Sequence, residues 1–132
     1  MGRRILIIDD NPSICEALKD RLEAMGYSVL VAHDGRTGLA LMALEAKPPI
    51  GGVVVDMHMP IMDGIQVLRE LRTEHEHVPA VMMTSAPDHR VREQAFTLGV
   101  RHYIVKPIDA TQFVRICEQT FPLTDPEAYG VP

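Results

Sequence analysis

The sequence GVVVDMHMP occupies residues 52–60, and it raises the question of what its single carboxylate does. The three valines at 53–55 are typical of a strand that is covered on both faces of a sheet, where a charged side chain has little use. Asp56 follows them directly, and Pro60 ends any strand soon afterwards. Asp56 is therefore either an incidental strand-end residue or a side chain that the strand holds in place.

The bulk composition predicts one globular domain. The chain has 132 residues, of which 46% are hydrophobic and 23% charged, and its formal net charge is -5. This charge, without a basic block, predicts no direct binding to nucleic acid. No apolar run is long enough to predict a membrane span or the core of a signal peptide, so we expect a cytoplasmic protein. Cys15 and Cys117 are then expected to be reduced, buried thiols.

Short apolar runs alternate along the chain with segments of helical periodicity, which predicts five strands and five helices. The strands are predicted at residues 5–8, 27–32, 53–55, 80–83 and 102–105. Asn11, Asp63 and Asp109 are predicted to cap the first, third and fifth helices, and the second helix is predicted over residues 36–46. This alternation favours an α/β fold with one parallel sheet that helices cover on both faces.

Polar side chains follow four of the five predicted strands. Asp9 and Asp10 follow the first strand, Asp56 the third, Thr84 the fourth and Lys106 the fifth. His33 follows the second strand and is predicted to lie at an outer edge of the sheet. Because the carboxyl ends of parallel strands share one edge, where α/β proteins bind ligands, we expect the other five side chains to lie close together.

Three neighbouring carboxylates need a counter-charge, because two unit charges about 4 Å apart repel by roughly 4 kcal/mol at an effective dielectric of 20. Ligands that are all oxygen suit Mg²⁺, with open positions left for water and a phosphate oxygen. Lys106 adds an ammonium and Thr84 a hydroxyl donor. The combination predicts a site that carries a phosphoryl group on Asp56 as the nucleophile.

Four segments in this order resemble the receiver domain of two-component response regulators, over residues 3–121. They are ILIIDDNP at 5–12, VVVDMHMPIMDG at 53–64, MMTSA at 82–86 and YIVKP at 103–107. The resemblance implies a doubly wound, flavodoxin-like sheet with strand order 2-1-3-4-5, as in chemotaxis members of the family. It also implies a receiver domain over residues 1–123 and a tail or the start of a linker over residues 124–132.

The same resemblance implies a role for each polar residue. Asp56 would become 4-aspartylphosphate by accepting the phosphoryl group of a phosphohistidine on a sensor histidine kinase or phosphotransfer protein. Asp10, Asp56 and the backbone carbonyl of His58 would bind Mg²⁺ directly, and Asp9 would act on it largely through water. Lys106 would contact the phosphoryl oxygens, and Thr84 would move to hydrogen-bond them. The identities of His58 and Ala86, each two residues after a site residue, affect the lifetime of the phosphoryl group in this family.

The resemblance further implies a switch and its partners. Thr84 and Tyr103 would couple phosphorylation to the surface of the fourth helix, fifth strand and fifth helix. That surface would control an output domain, a partner protein or a homodimer formed on phosphorylation, with no membrane partner. No turnover of an external substrate is expected. Pro107 lies where the family commonly has a cis peptide bond.

Three alternatives remain open on the sequence alone. An aspartyl-nucleophile phosphatase of small phosphate esters would typically carry a second acid where this chain has His58. A flavin or nucleotide carrier would need a phosphate-binding loop after the first strand, where Asp9, Asp10 and Asn11 stand instead. A pseudo-receiver that acts only as a binding surface would not need the acidic cluster. The pair His75 and His77 is predicted to be a solvated turn, and the methionines around Asp56 are predicted to pack in the core.

Overall fold

Residues 3–44 and 49–123, which the computed structural model describes, form five strands that alternate with five helices. The strands are β1 (Arg4–Ile8), β2 (Ser28–Ala32), β3 (Ile50–Asp56), β4 (Ala80–Thr84) and β5 (Val100–Val105). The helices are α1 (Pro12–Ala24), α2 (Gly35–Ala43), α3 (Gly64–Glu74), α4 (His89–Thr97) and α5 (Ala110–Thr120). The tail predicted at 124–132 lies outside the described residues.

The strands form one parallel sheet in the order β2-β1-β3-β4-β5, which confirms the expected topology. Side chains leave each central strand alternately toward two hydrophobic layers. In β3, Val53 and Val55 join the layer that α2, α3 and α4 cover, whereas Val54 joins the layer under α1 and α5. Both faces are apolar, which explains why the strand sequences do not alternate between polar and apolar residues.

The predicted helix caps are present. The Asn11 side chain accepts hydrogen bonds from the backbone N–H groups of Ser13 and Ile14 at 3.0 and 3.2 Å, and Asp109 accepts one from Gln112 at 2.9 Å. Asp63 and Gln66 form a reciprocal capping box at the start of α3. These caps fix the first turns of α1, α3 and α5, each of which follows its strand across a loop.

Several element boundaries differ from the predicted ones, and β3 in particular runs from Ile50 to Asp56 rather than over residues 53–55. The second helix ends at Ala43 rather than at residue 46, because the backbone of Leu44 is already extended with φ -72° and ψ 136°. Strand β5 begins at Val100 rather than at residue 102, because Val100 pairs with Ala80 at the start of β4. Neither helical periodicity nor an apolar run in the sequence indicates the extended backbone of Leu44 or the pairing of Val100 with Ala80.

Other predictions about individual residues also agree with the structure. Cys15 and Cys117 are free and buried, and burial raises the pKa of these thiols to about 11 and about 12. The predicted packing methionines are all in the core: Met57, Met59, Met62, Met82 and Met83. His77 is exposed and meets only its neighbour Glu76, at 3.1 Å, in the predicted solvated turn. Among the described helices, none has both the length and the apolar character needed to cross a membrane.

Candidate functional site

Asp56 is the last residue of β3, and its side chain lies at the carboxyl edge of the sheet with only 3% of the residue exposed. The chain turns back at once, since the Gly64 N–H donates to the Met57 carbonyl at 2.8 Å. A Cβ atom at Gly64 would lie 2.6 Å from the backbone oxygen of Asp56. Only glycine lets α3 begin this close to the acidic residue, so the DG pair at 63–64 fixes the loop after Asp56.

Three carboxylates meet at this edge, as the sequence predicts. Asp9 is fully buried at the end of β1, Asp10 is exposed, and ligand oxygens of Asp9, Asp10 and Asp56 lie within 4.8 Å of one another. The backbone N–H of Asn11 donates to Asp9 Oδ1 at 2.9 Å, which orients that carboxylate. A cluster of oxygen donors alone fits a hard cation such as Mg²⁺.

Lys106 enters the cluster from the end of β5 and bridges two of its carboxylates. Its Nζ lies 2.9 Å from Asp9 Oδ2 and 3.0 Å from Asp56 Oδ1, and 14% of its side chain is exposed. Its backbone N–H donates to the Thr84 carbonyl at 2.7 Å, which aligns the ends of β4 and β5. The peptide bond between Lys106 and Pro107 is cis, as predicted.

The charges at this edge change the pKa values of Asp56 and Lys106 for different reasons. Burial raises the pKa of Asp56, and this effect together with the nearby Asp9 exceeds the lowering by the Lys106 ammonium. Burial alone would lower the pKa of Lys106, but its hydrogen bonds to Asp9 and Asp56 raise it above its usual value. The ammonium therefore stays charged, and ionising Asp56 costs more free energy at this site than in water.

Thr84, the last residue of β4, and Tyr103, in β5, both contact the loop between β4 and α4. Thr84 is fully buried, and its Oγ1 accepts a hydrogen bond from the Ala86 N–H at 3.1 Å. The Tyr103 ring is half-buried against the layer of α3 and α4, and its hydroxyl accepts a long hydrogen bond of 3.4 Å from the Asp88 N–H. Both side chains thus contact the same loop from opposite ends.

The remaining predicted site residue, His58, has an exposed side chain in the loop after β3. His33 follows β2, which is an edge strand of the sheet as predicted, and its Nδ1 lies 3.2 Å from the backbone oxygen of Asp9. Sequence reasoning did not single out Ile61, which is fully exposed and has a positive φ of 72°. A β-branched residue in that conformation is strained, and no local pattern predicts it.

Comparison with protein families matches residues 5–118 to the response regulator receiver domain. The probable transcriptional regulator ycf27 of Porphyridium aerugineum is 42% identical over 104 residues, which cover 79% of this chain and 42% of that protein. Regulatory protein AtoC of Escherichia coli K12 is 32% identical over 120 residues, covering 91% of this chain and 25% of that protein. The chain thus spans less than half the length of these curated relatives.

Solved structures show the same architecture. A response regulator receiver domain protein from Clostridium thermocellum is 32% identical, with a TM-score of 0.80, and the match covers 89% of this chain and 91% of that chain. The topology therefore agrees with the resemblance that the four sequence segments carry. Neither this structure nor the two curated relatives supports the phosphatase alternative.

Proposed function

This chain belongs to the response regulator receiver family, and from that premise we propose that Asp56 is the phosphoacceptor of a Mg²⁺-dependent phosphorelay. The family acts in two-component signalling, and this domain therefore functions as the receiving component of such a system. The observation that supports Asp56 most directly is the bridge from Lys106 Nζ to both Asp9 and Asp56. Asp9 shares this bridge, but both of its carboxylate oxygens accept hydrogen bonds, from the Asn11 N–H and from Lys106, whereas Asp56 Oδ2 accepts none among the described residues.

In the proposed reaction, a carboxylate oxygen of Asp56 attacks the phosphorus of a phosphohistidine on a histidine kinase or phosphotransfer protein. The bond between phosphorus and nitrogen breaks, its electron pair returns to the imidazole, and an acyl phosphate forms on Asp56. Lys106 holds Oδ1 of Asp56, while Oδ2 makes no hydrogen bond among the described residues and is left for the attack. Lys106 and Thr84 would then hydrogen-bond the new phosphoryl oxygens.

The proposed Mg²⁺ ion would be held by the carboxylates of Asp9, Asp10 and Asp56 and by the backbone carbonyl of His58. Bound Mg²⁺ supplies positive charge against the carboxylates and the arriving phosphoryl group. The fit rests on the cluster itself, since three carboxylates share the edge with one ammonium and so leave an excess of negative charge. A divalent cation would remove that excess.

Incubation with acetyl phosphate and Mg²⁺ tests the assignment by intact-protein mass spectrometry. We expect a gain of one phosphoryl group in the wild type and none in Asp56→Asn. Asp20→Asn, on the exposed face of α1, is the matched control and should label like the wild type. Full labelling of Asp56→Asn would show that another residue is the acceptor, and steady hydrolysis of many phosphate esters would favour the phosphatase.

We further propose that phosphorylation is read out on the surface of α4, β5 and α5. Phosphoryl oxygens would draw the Thr84 hydroxyl away from Ala86, and the loop would change its contact with the Tyr103 hydroxyl. Phe96 and Val105 are 39% and 47% exposed on this surface, and the Arg92 guanidinium lies 4.9 Å from the Phe96 ring centroid. These apolar and cationic groups suit a protein partner or a second copy of the chain.

The two curated relatives named above are a probable transcriptional regulator and a regulatory protein, and we propose that this domain likewise controls an output domain or partner in the cytoplasm. Residues 124–132 would form a tail or the start of a linker after the receiver domain of residues 1–123. The domain would catalyse only its own phosphorylation and dephosphorylation, without turnover of an external substrate. It would not itself bind nucleic acid.

A further inference from the structure

Arg72, on the last turn of α3, contacts the backbone carbonyls at the ends of two helices. Its Nε donates to Leu98 O at 2.6 Å, and its Nη1 donates to Val78 O at 2.6 Å and to His75 O at 3.0 Å. Two longer contacts reach Glu76 O at 3.3 Å and Gly99 O at 3.5 Å. We call this guanidinium with its five carbonyls the Arg72 anchor.

The anchor satisfies groups that helix ends leave unpaired. Leu98 is the C-cap of α4 and His75 the C-cap of α3, so one positive charge interacts favourably with the negative ends of both helix dipoles. The guanidinium is half-buried, and this burial, together with the charge of Arg101, lowers its pKa. The guanidinium stays charged despite its loss of water, because the five carbonyls replace water as hydrogen-bond acceptors.

Gly99 makes the close approach feasible. Its φ of 85° favours glycine, and a Cβ atom there would lie 3.3 Å from both Nε and Nη2 of Arg72. The turn that ends α4 is therefore shaped around the guanidinium.

Helix α4 has few other attachments. Ala95 is its only buried residue, and Val91 and Leu98 are half-buried beside it. Residues 85–88, which lead into the helix, and its first two residues are all exposed, and the 3.4 Å contact between Asp88 N–H and the Tyr103 hydroxyl is long for a hydrogen bond. The helix is thus held firmly at its C-terminal end and loosely at its N-terminal end, where the proposed switch acts.

We propose that Arg72 is a positioning residue for the switch surface. It fixes the C-terminal end of α4, so that a movement of the loop after Thr84 tilts the N-terminal half of the helix instead of displacing or unfolding all of it. The switching part of this inference rests on the proposed function, whereas the anchoring part concerns the unphosphorylated protein as well.

Amide hydrogen exchange on the full chain tests both parts. In the wild type, residues 95–99 should be better protected than residues 88–94, and phosphorylation with acetyl phosphate should change exchange only in the latter. In Arg72→Gln, exchange of residues 95–99 should rise at least about tenfold, because the charge-assisted hydrogen bonds to the carbonyls that end α4 are lost. The change on phosphorylation should then extend over the whole helix.

Two further variants make the result specific. Arg69→Gln removes the same charge from the exposed face of α3, where Arg69 makes no hydrogen bond among the described residues, and should exchange like the wild type. Arg72→Lys keeps the charge without the planar fork and should give an intermediate rise. It also provides a folded comparison if Arg72→Gln is too unstable to measure.

The outcomes separate the two proposals. If acetyl phosphate adds no mass to the wild type, the proposed function fails, and the exchange of the unphosphorylated variants still decides the anchor. If the wild type is phosphorylated but Arg72→Gln and Arg69→Gln exchange equally over residues 95–99, the anchor is wrong. Equal spread of the phosphorylation effect in the wild type and Arg72→Gln would overturn the switching part alone.

Discussion

Repulsion within the acidic cluster should make the stability of the protein depend on Mg²⁺. The cluster has three carboxylates within 4.8 Å and one bridging ammonium. For the buried pair Asp9 and Asp56, a separation near this limit corresponds to roughly 3–4 kcal/mol of repulsion at an effective dielectric of 20. For exposed Asp10, a dielectric close to that of water reduces each such interaction to about 1 kcal/mol.

The proposed Mg²⁺ ligands come together only in the folded protein, so Mg²⁺ should raise the Tm by mass action. At about one hundred times Kd the stabilisation is about 2.7 kcal/mol, which for a domain of this size corresponds to a Tm increase of roughly 10 °C. Asp10→Ala removes a ligand without opening the core. If affinity falls about 100-fold, the same Mg²⁺ concentration should stabilise that variant by only about 0.4 kcal/mol, or roughly 2 °C.

Thermal unfolding followed by circular dichroism, with and without Mg²⁺, measures both changes. Without metal, Asp10→Ala should be as stable as the wild type or more stable by up to about 1 kcal/mol, because repulsion is relieved. Asp20→Ala, an exposed acid elsewhere on α1, should keep the full response to Mg²⁺. The same Mg²⁺ response in Asp10→Ala as in the wild type would refute the ligand assignment, and so would a loss of metal-free stability in that variant.

Three further predictions concern pH, backbone strain and close packing. Burial raises the folded-state pKa of Asp56, so in metal-free protein its contribution to stability should be lost as pH rises through that pKa. The free energy of unfolding, measured in urea, should therefore increasingly favour Asp56→Asn over the wild type as pH rises. A difference that does not change with pH would contradict this. Ile61→Asn should raise the free energy of unfolding by about 0.5–1 kcal/mol, because asparagine tolerates the φ of 72° and no buried surface is lost. A decrease in the free energy of unfolding would show that the exposed isoleucine side chain is stabilising. Gly64→Ala should lower the free energy of unfolding by about 2 kcal/mol or more and slow the labelling of Asp56, because the added Cβ would lie 2.6 Å from the backbone oxygen of Asp56. Unchanged stability would show that the loop adapts.

Local interactions account for most of what could be predicted about the fold. Asn11, Asp63 and Asp109 cap helices through hydrogen bonds to residues two or three positions away, so their roles are visible in short segments of sequence. Apolar runs without alternation predicted strands covered on both faces, and parallel topology then placed all strand ends on one edge. The strand order itself came from the resemblance to receiver domains.

The same reasoning grouped the residues of the candidate site. The structure brings Asp9, Asp10, Asp56 and Lys106 together as expected, with Thr84 beside them. Their roles in phosphoryl transfer stay predictions until labelling tests them. Strand ends could be identified because each polar residue directly follows its apolar run in the sequence.

By itself, the sequence determined the family, the alternation of strands and helices, and which polar residues lie at the carboxyl edge, because each depends on interactions within a few positions or on a contiguous motif. Only the tertiary structure decided that Lys106 bridges Asp9 and Asp56, and that Arg72 holds a helix end 26 residues further along the chain. It also decided that α2 ends at Ala43. These features depend on how side chains and backbone carbonyls from separate elements pack together. The periodicity of one element does not indicate which residues of other elements will contact it.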